Sequence, residues 1–145
     1  LFFTKVLDEN KFELDEDDIV LEPKDRNYWE NKASANSLKL VDKIMSTLGD
    51  VVSEYELKYN KHYIGIANKH SGMANNFILF KARKDTVLFY AKMSRSDDID
   101  NELDNFDYLS YDRGSYRIRI KEKDLSNPQT VEFLKRLTQI AKNEY

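Results

Sequence analysis

The apolar positions of this chain fall into two periodicities. Leu38, Val41, Met45 and Leu48 recur at helical spacing after Ser37, with Leu40 and Ile44 beside them, and Gly49 stands where a left-handed residue closes a helix. The reading therefore opens a helix at Ser37. A shorter helix start is read at Asn27–Glu30, with Asn as cap and Glu three residues on. Trp29, the only tryptophan, is expected against the core. The period then changes to two. Glu54–Tyr59 alternates, His62–Ala67 is β-branched and aromatic, and Asn75–Ala82 and Thr86–Met93 flank Arg83-Lys84-Asp85 as a hairpin. Both hairpin strands are apolar on both faces at their centres, which places them inside the sheet, covered on both sides. Ser96–Leu103 reads as a short helix with acids in its first turn. In Tyr116–Lys121 the alternation is clean: Tyr116, Ile118 and Ile120 face one way, and Arg117, Arg119 and Lys121 the other. Asn127-Pro128 opens a last helix whose apolar face is Val131, Leu134, Leu137 and Ala141, flanked by Phe133 and Ile140.

The order helix, β-meander, short helix, strand, helix predicts an α+β fold. An antiparallel sheet of about four to five strands, with helices packed on one face, is the simplest assembly. Residues 27–145 are expected to form a single α+β domain. Residues 1–26, with apolar runs at Leu1–Val6 and Ile19–Leu21 before Pro23, are expected to be an acidic N-terminal appendage: the end of an upstream domain, or a linker partly paired with the body. The first residue is Leu, so the chain is expected to be the end of a longer protein.

Composition changes this picture in two respects. The chain has no cysteine, so disulfides, cysteine–zinc clusters and thiol nucleophiles are excluded. No apolar run approaches a membrane span and no leader is visible, so a cytoplasmic protein without membrane contact is expected. The net charge of −3 also hides an uneven layout. Residues 1–25 carry nine acids against Lys5, Lys11 and Lys24, whereas residues 26–145 carry 20 bases against 17 acids. Eight Lys/Arg and two acids lie between 55 and 95, and seven acids and no base between 97 and 112. Such blocks make opposed surface patches when they fold onto different faces.

Chemistry is sparse. His62 and His70, the only histidines, show no helical ligand spacing and no carboxylate at a metal spacing, so no metal or cofactor is expected. There is no Gly-x-Ser-x-Gly, and Asn68–Gly72 is too poor in glycine for a phosphate loop. Glu56-Leu57-Lys58 downstream of Asp50 has the local form of a nuclease strand, a pattern that alternating charge on an edge strand also produces. The strongest feature is cationic. Arg117, Arg119 and Lys121 share a sheet face, with Lys81, Arg83, Lys84 and Lys92 on or beside the hairpin, Arg113 before a turn glycine, and Tyr90, Tyr111 and Tyr116 nearby in sequence. Basic groups contact phosphates and aromatics stack on bases. The competing reading pairs these bases internally, with Asp97–Asp112 or with the acidic N-terminal segment.

From Ser37 onward the chain resembles an uncharacterised bacterial domain family often labelled "predicted transport protein". The residues that carry the resemblance are Ser37-Leu-Lys-Leu-Val-Asp-Lys-Ile-Met45, Lys61-His-Tyr-Ile-Gly-Ile66, Asn75-Asn-Phe77 and Tyr111-Asp-Arg-Gly-Ser-Tyr-Arg-Ile-Arg-Ile120, over roughly three quarters of the chain. The resemblance implies a C-terminal module of a longer protein, in some members behind a nuclease-like domain. Many relatives carry a tryptophan before the turn glycine, where this chain has Arg113 before Gly114.

The expectation is a non-enzymatic accessory or binding module of a larger protein that contacts nucleic acid or another protein. Its candidate binding residues are Lys81, Arg83, Lys92, Arg113, Arg117, Arg119 and Lys121. Two other readings stand beside it: a protein-interaction or homodimerisation domain joined through Phe80, Phe89 and Tyr90, and a nuclease-like enzyme using Glu56 and Lys58.

Overall fold

The computed structural model describes residues 23–104 and 108–145; the apolar runs at 1–6 and 19–21 lie outside them. The elements are, in chain order, α1 (Arg26–Lys32), α2 (Ala35–Leu48), a 3-10 turn (Gly49–Val52), β1 (Tyr55–Tyr59), β2 (Ile64–Asn68), β3 (Ile78–Ala82), β4 (Val87–Lys92), α3 (Asp97–Leu103), β5 (Tyr108–Asp112), β6 (Ser115–Ile120), a second 3-10 turn (Glu122–Ser126) and α4 (Pro128–Glu144).

Local chemistry sets the helix ends. The Ser37 N–H donates to Ser34 Oγ at 3.0 Å, so Ser34 is the cap and α2 starts three residues before the apolar stripe. In α1 the cap is Asp25, which accepts from the Tyr28 N–H at 2.9 Å, and Asn27 lies inside the helix. Asn127 caps α4 through the Gln129 N–H, with Pro128 in the first position. Gly49 closes α2 at φ +60, where a side chain is disfavoured.

The described strands form one sheet in the order β1-β2-β3-β4-β6-β5, every neighbouring pair antiparallel. This is an α+β fold with six strands, not four to five. The strand beyond the expected count, β5, lies in the acidic stretch, and a register shift between Tyr108 and Ser110 breaks the alternation that marks a strand in sequence. The hairpin strands β3 and β4 are central, as their two-sided apolar pattern requires.

Register decides which side chains share a face. Ile78, Ala91, Tyr116 and Tyr111 form one row across β3, β4, β6 and β5; Phe80, Phe89 and Ile118 form the next; Ala82, Val87 and Ile120 a third. These rows face the helices and join Leu38, Val41, Ile44, Phe133, Leu134 and Leu137 in the main core. Trp29 is fully buried there and donates its indole N–H to Asn60 O at 2.7 Å. Phe80 and Phe89 are wholly buried in this core, so they cannot supply the subunit contact expected of them.

Two further contacts fix the β1 side. The Arg26 guanidinium donates to both carboxylate oxygens of Asp42, to Glu30 and to the Tyr59 hydroxyl, which ties α1 to α2 and β1. The Asp42 hydrogen bond holds the Arg26 pKa well above its ordinary value. Pro23 bridges Asn60, and the Lys24 N–H donates to Tyr59 O, so this end of the 1–26 stretch is paired with the body.

Candidate nucleic-acid interface

The second face of the sheet is built from the alternate positions of the same strands. Register sets out three rows across it: Leu79, Tyr90, Arg117 and Ser110; then Lys81, Leu88 and Arg119; then Lys92, Ser115 and Asp112. On the β1–β2 side, Glu56 stands opposite Ala67 and Lys58 opposite Gly65. Among the described residues the apolar cluster on this face comes from the strands and their approaches alone: Tyr63, Leu79 and Tyr90, with Leu88 packed against them. Leu79 is 1% exposed and Tyr63 2%.

Tyr90 is the centre of the cationic group. Lys81 Nζ lies 5.2 Å from its ring centroid, and the Arg117 guanidinium carbon 5.3 Å. Each is within cation–π range. Lys92 Nζ lies 5.2 Å from the ring of Tyr145, the last residue of the chain. Four of the seven predicted binding residues (Lys81, Lys92, Arg117 and Arg119) thus share one face around Tyr90 and Leu88. Lys121 follows β6 and is exposed, and its peptide N–H donates to Asp124 at 2.8 Å.

The remaining two are not brought together. Val87 pairs with Ile120 and Lys92 with Ser115, so Arg83, before β4, and Arg113, before β6, stand at opposite ends of the sheet. With a rise of about 3.3 Å per residue, the length of β4 separates them by roughly 20 Å. Arg113 takes a left-handed φ of 53 beside Gly114 at 80, the two-residue hairpin turn that matches strand twist.

One expectation needs correction. Arg117 does not project uncovered: its guanidinium lies 3.3 Å from the Asp112 carboxylate, and its side chain is 28% exposed. Its Nε is buried and finds no hydrogen-bond acceptor. The partner is one of the aspartates of the 97–112 stretch, brought alongside by the tight turn at Arg113-Gly114. Sequence alternation places Arg117 on the face, but it carries no signal for a neighbour that arrives diagonally from β5.

A second polar group lies at the helix side of β6. The Tyr116 hydroxyl donates to Asp100 Oδ1 at 2.7 Å and accepts from the Ser96 N–H at 2.8 Å. Arg95 donates to Asp100 Oδ2 at 3.0 Å and stands over the Tyr111 ring. Burial raises the Tyr116 pKa to about 12, with the nearby Asp100 adding to the shift. The Tyr116 hydrogen bond, with Arg95, holds the Asp100 carboxyl below its ordinary range. These groups seat α3 on the sheet.

Glu56 and Lys58 share the side of β1 opposite the described helices, with Asp50 exposed in the 3-10 turn before it. Among the described residues no group of three or more His, Asp or Glu converges as a metal site would require. His62 and His70 are both exposed. On the helix side, a shallow depression of ≈ 420 Å³ is lined by Leu125, Ser126, Pro128, Val131, Glu132 and Lys135. Among the described residues no helix is long and apolar enough to cross a membrane. No family model, curated protein or solved structure matches the chain.

Proposed function

We propose that the domain is a non-enzymatic accessory module of a larger cytoplasmic protein, and that the sheet face opposite the described helices contacts nucleic acid. The observation that carries this reading is the cluster of Lys81, Arg117 and Tyr90, with Arg119 and Lys92 in the adjoining rows. Several cations on one face suit a phosphate backbone, and an aromatic held between two of them suits a stacked base. The Arg117–Asp112 pair does not abolish this role. An ion pair at this exposure contributes only about 0–1 kcal/mol, so a phosphate can displace the carboxylate.

The test is binding of single-stranded and duplex DNA across a salt series. Affinity should fall as salt rises, and Arg117→Ala/Arg119→Ala should weaken binding about tenfold at low salt and flatten the salt dependence by one to two phosphate contacts. A thermal melt of the double variant checks that it folds. No binding at low salt, or binding indifferent to both substitutions, overturns the reading.

A further inference from the structure

We propose that Asp112 is a resident counter-ion: it occupies on Arg117 the place a phosphate would take, and so lowers the affinity of this sheet face for any anion. The consequence for DNA rests on the nucleic-acid reading above; the exchange of one anion for another on Arg117 does not.

Strand register puts the carboxylate there. Asp112 ends β5 opposite Ser115, while Arg117 stands opposite Tyr90 on β4 and Ser110 on β5. Asp112 and Arg117 are thus diagonal neighbours across the β5–β6 hairpin. Such pairs start about 7–8 Å apart, a gap that a long side chain closes. The tight turn between the strands, with Arg113 at φ 53 and Gly114 at φ 80, fixes this register.

The carboxylate holds the guanidinium without satisfying it. A guanidinium carries five N–H donors in a fixed fork, and a strong bond from it to a carboxylate is about 2.7–2.9 Å long. Here Arg117 Nη2 lies 3.3 Å from Asp112 Oδ2. Arg117 Nε is buried and, among the described residues, finds no acceptor. A phosphate brings more acceptor oxygens than this single contact supplies, so it satisfies the fork better. The Asp112 side chain is 51% exposed, which leaves it water to turn into when it is displaced.

An anion therefore binds only the fraction of molecules in which Arg117 has parted from Asp112, and its apparent affinity falls by that fraction. An ion pair at this exposure amounts to a factor of up to about five. Asp112 thus sets a threshold: weak, isolated anions fail to displace it, whereas a backbone of many phosphates gathers enough contacts to do so.

The test uses single-stranded oligothymidine and inorganic phosphate with the whole chain. Asp112→Asn keeps the side-chain shape and removes the charge. A thermal melt checks that it folds, and Asp112→Ser takes its place where it does not. The variant should bind oligothymidine about fivefold tighter at low salt. The gain should vanish in an Arg117→Ala background, because it acts through that guanidinium. In a chain that binds DNA, unchanged or weaker binding by Asp112→Asn overturns the proposal, and so does an equal gain without Arg117. Inorganic phosphate separates the two readings. It should shift the Arg117 Nε–H resonance in NMR spectra, and at lower concentration in Asp112→Asn. Where phosphate does this and DNA fails to bind, the nucleic-acid reading falls and the counter-ion stands. A resonance that phosphate leaves in place in both proteins overturns the counter-ion.

Discussion

At Gly65 the backbone would accept a side chain, because φ lies outside the left-handed region, but the neighbour would not. A β-carbon built there would sit 2.2 Å from Asn76 Oδ1. That oxygen accepts the buried Ile66 N–H at 3.0 Å. Gly65→Ala must therefore push Asn76 away and leave a buried donor without its partner. The expected loss is about 2–3 kcal/mol, read from chemical denaturation. In a double-mutant cycle with Asn76→Ala the two losses should be far from additive; full additivity would refute the contact. Sequence reading finds a strand through Gly65 but not this constraint, because Asn76 reaches back across the β2–β3 connection. Arg113 is similar. Gly114 marks the turn, yet nothing in the string of residues says that an arginine takes the other left-handed position.

The elements that could be read were those with long, regular periods. The β6 alternation stands where the pattern puts it, and so do most of the α2 and α4 stripes, though Met45 and Val131 are only half-buried and Thr130 and Thr138 take buried places in α4; α2 starts earlier, after the Ser34 cap, because its first turn carries no large apolar residue. The least regular strand, β5, left no pattern to read. The seat of α3 is likewise a tertiary matter, since the Tyr116 hydroxyl comes from a strand 16 residues further on to hold Asp100. This seat makes a pH prediction. Asp100 titrates lower in the folded chain than in the unfolded one, so its stabilisation is present above the unfolded value of about 4 and is lost as pH falls through the folded one. Tyr116 titrates higher when folded, so its part is complete below about 10 and is lost as pH rises through about 12. Tyr116→Phe removes the hydroxyl and should lower stability by about 1–3 kcal/mol. Its urea midpoint between pH 2 and 5 should also fall less steeply than that of the parent chain. An equally steep acid limb in Tyr116→Phe would show that Asp100 is not held this way.

For the molecule as a whole, the apolar pattern gave the layer order and the central place of β3 and β4. Chain pattern also placed Arg117 and Arg119 on a common face. It did not give the Asp112 contact or the position of Lys81 over Tyr90, which follow from register across three strands. The sheet order makes a prediction of its own. Amides in β3 and β4 are flanked by strands on both sides, so they should exchange hydrogen only through global opening, whereas β1 and β5 should exchange through cheaper local opening. Native-state exchange should rank them in that order; equal protection of β1 and β4 would contradict it.

Pro23 has a consequence for how the protein keeps to itself. Proline carries no amide hydrogen, and the one on Lys24 is already taken by Tyr59 O. At the Asn60 end of β1 the rim thus offers an incoming polypeptide no free donor, which shortens the stretch of that edge from which templated growth could start.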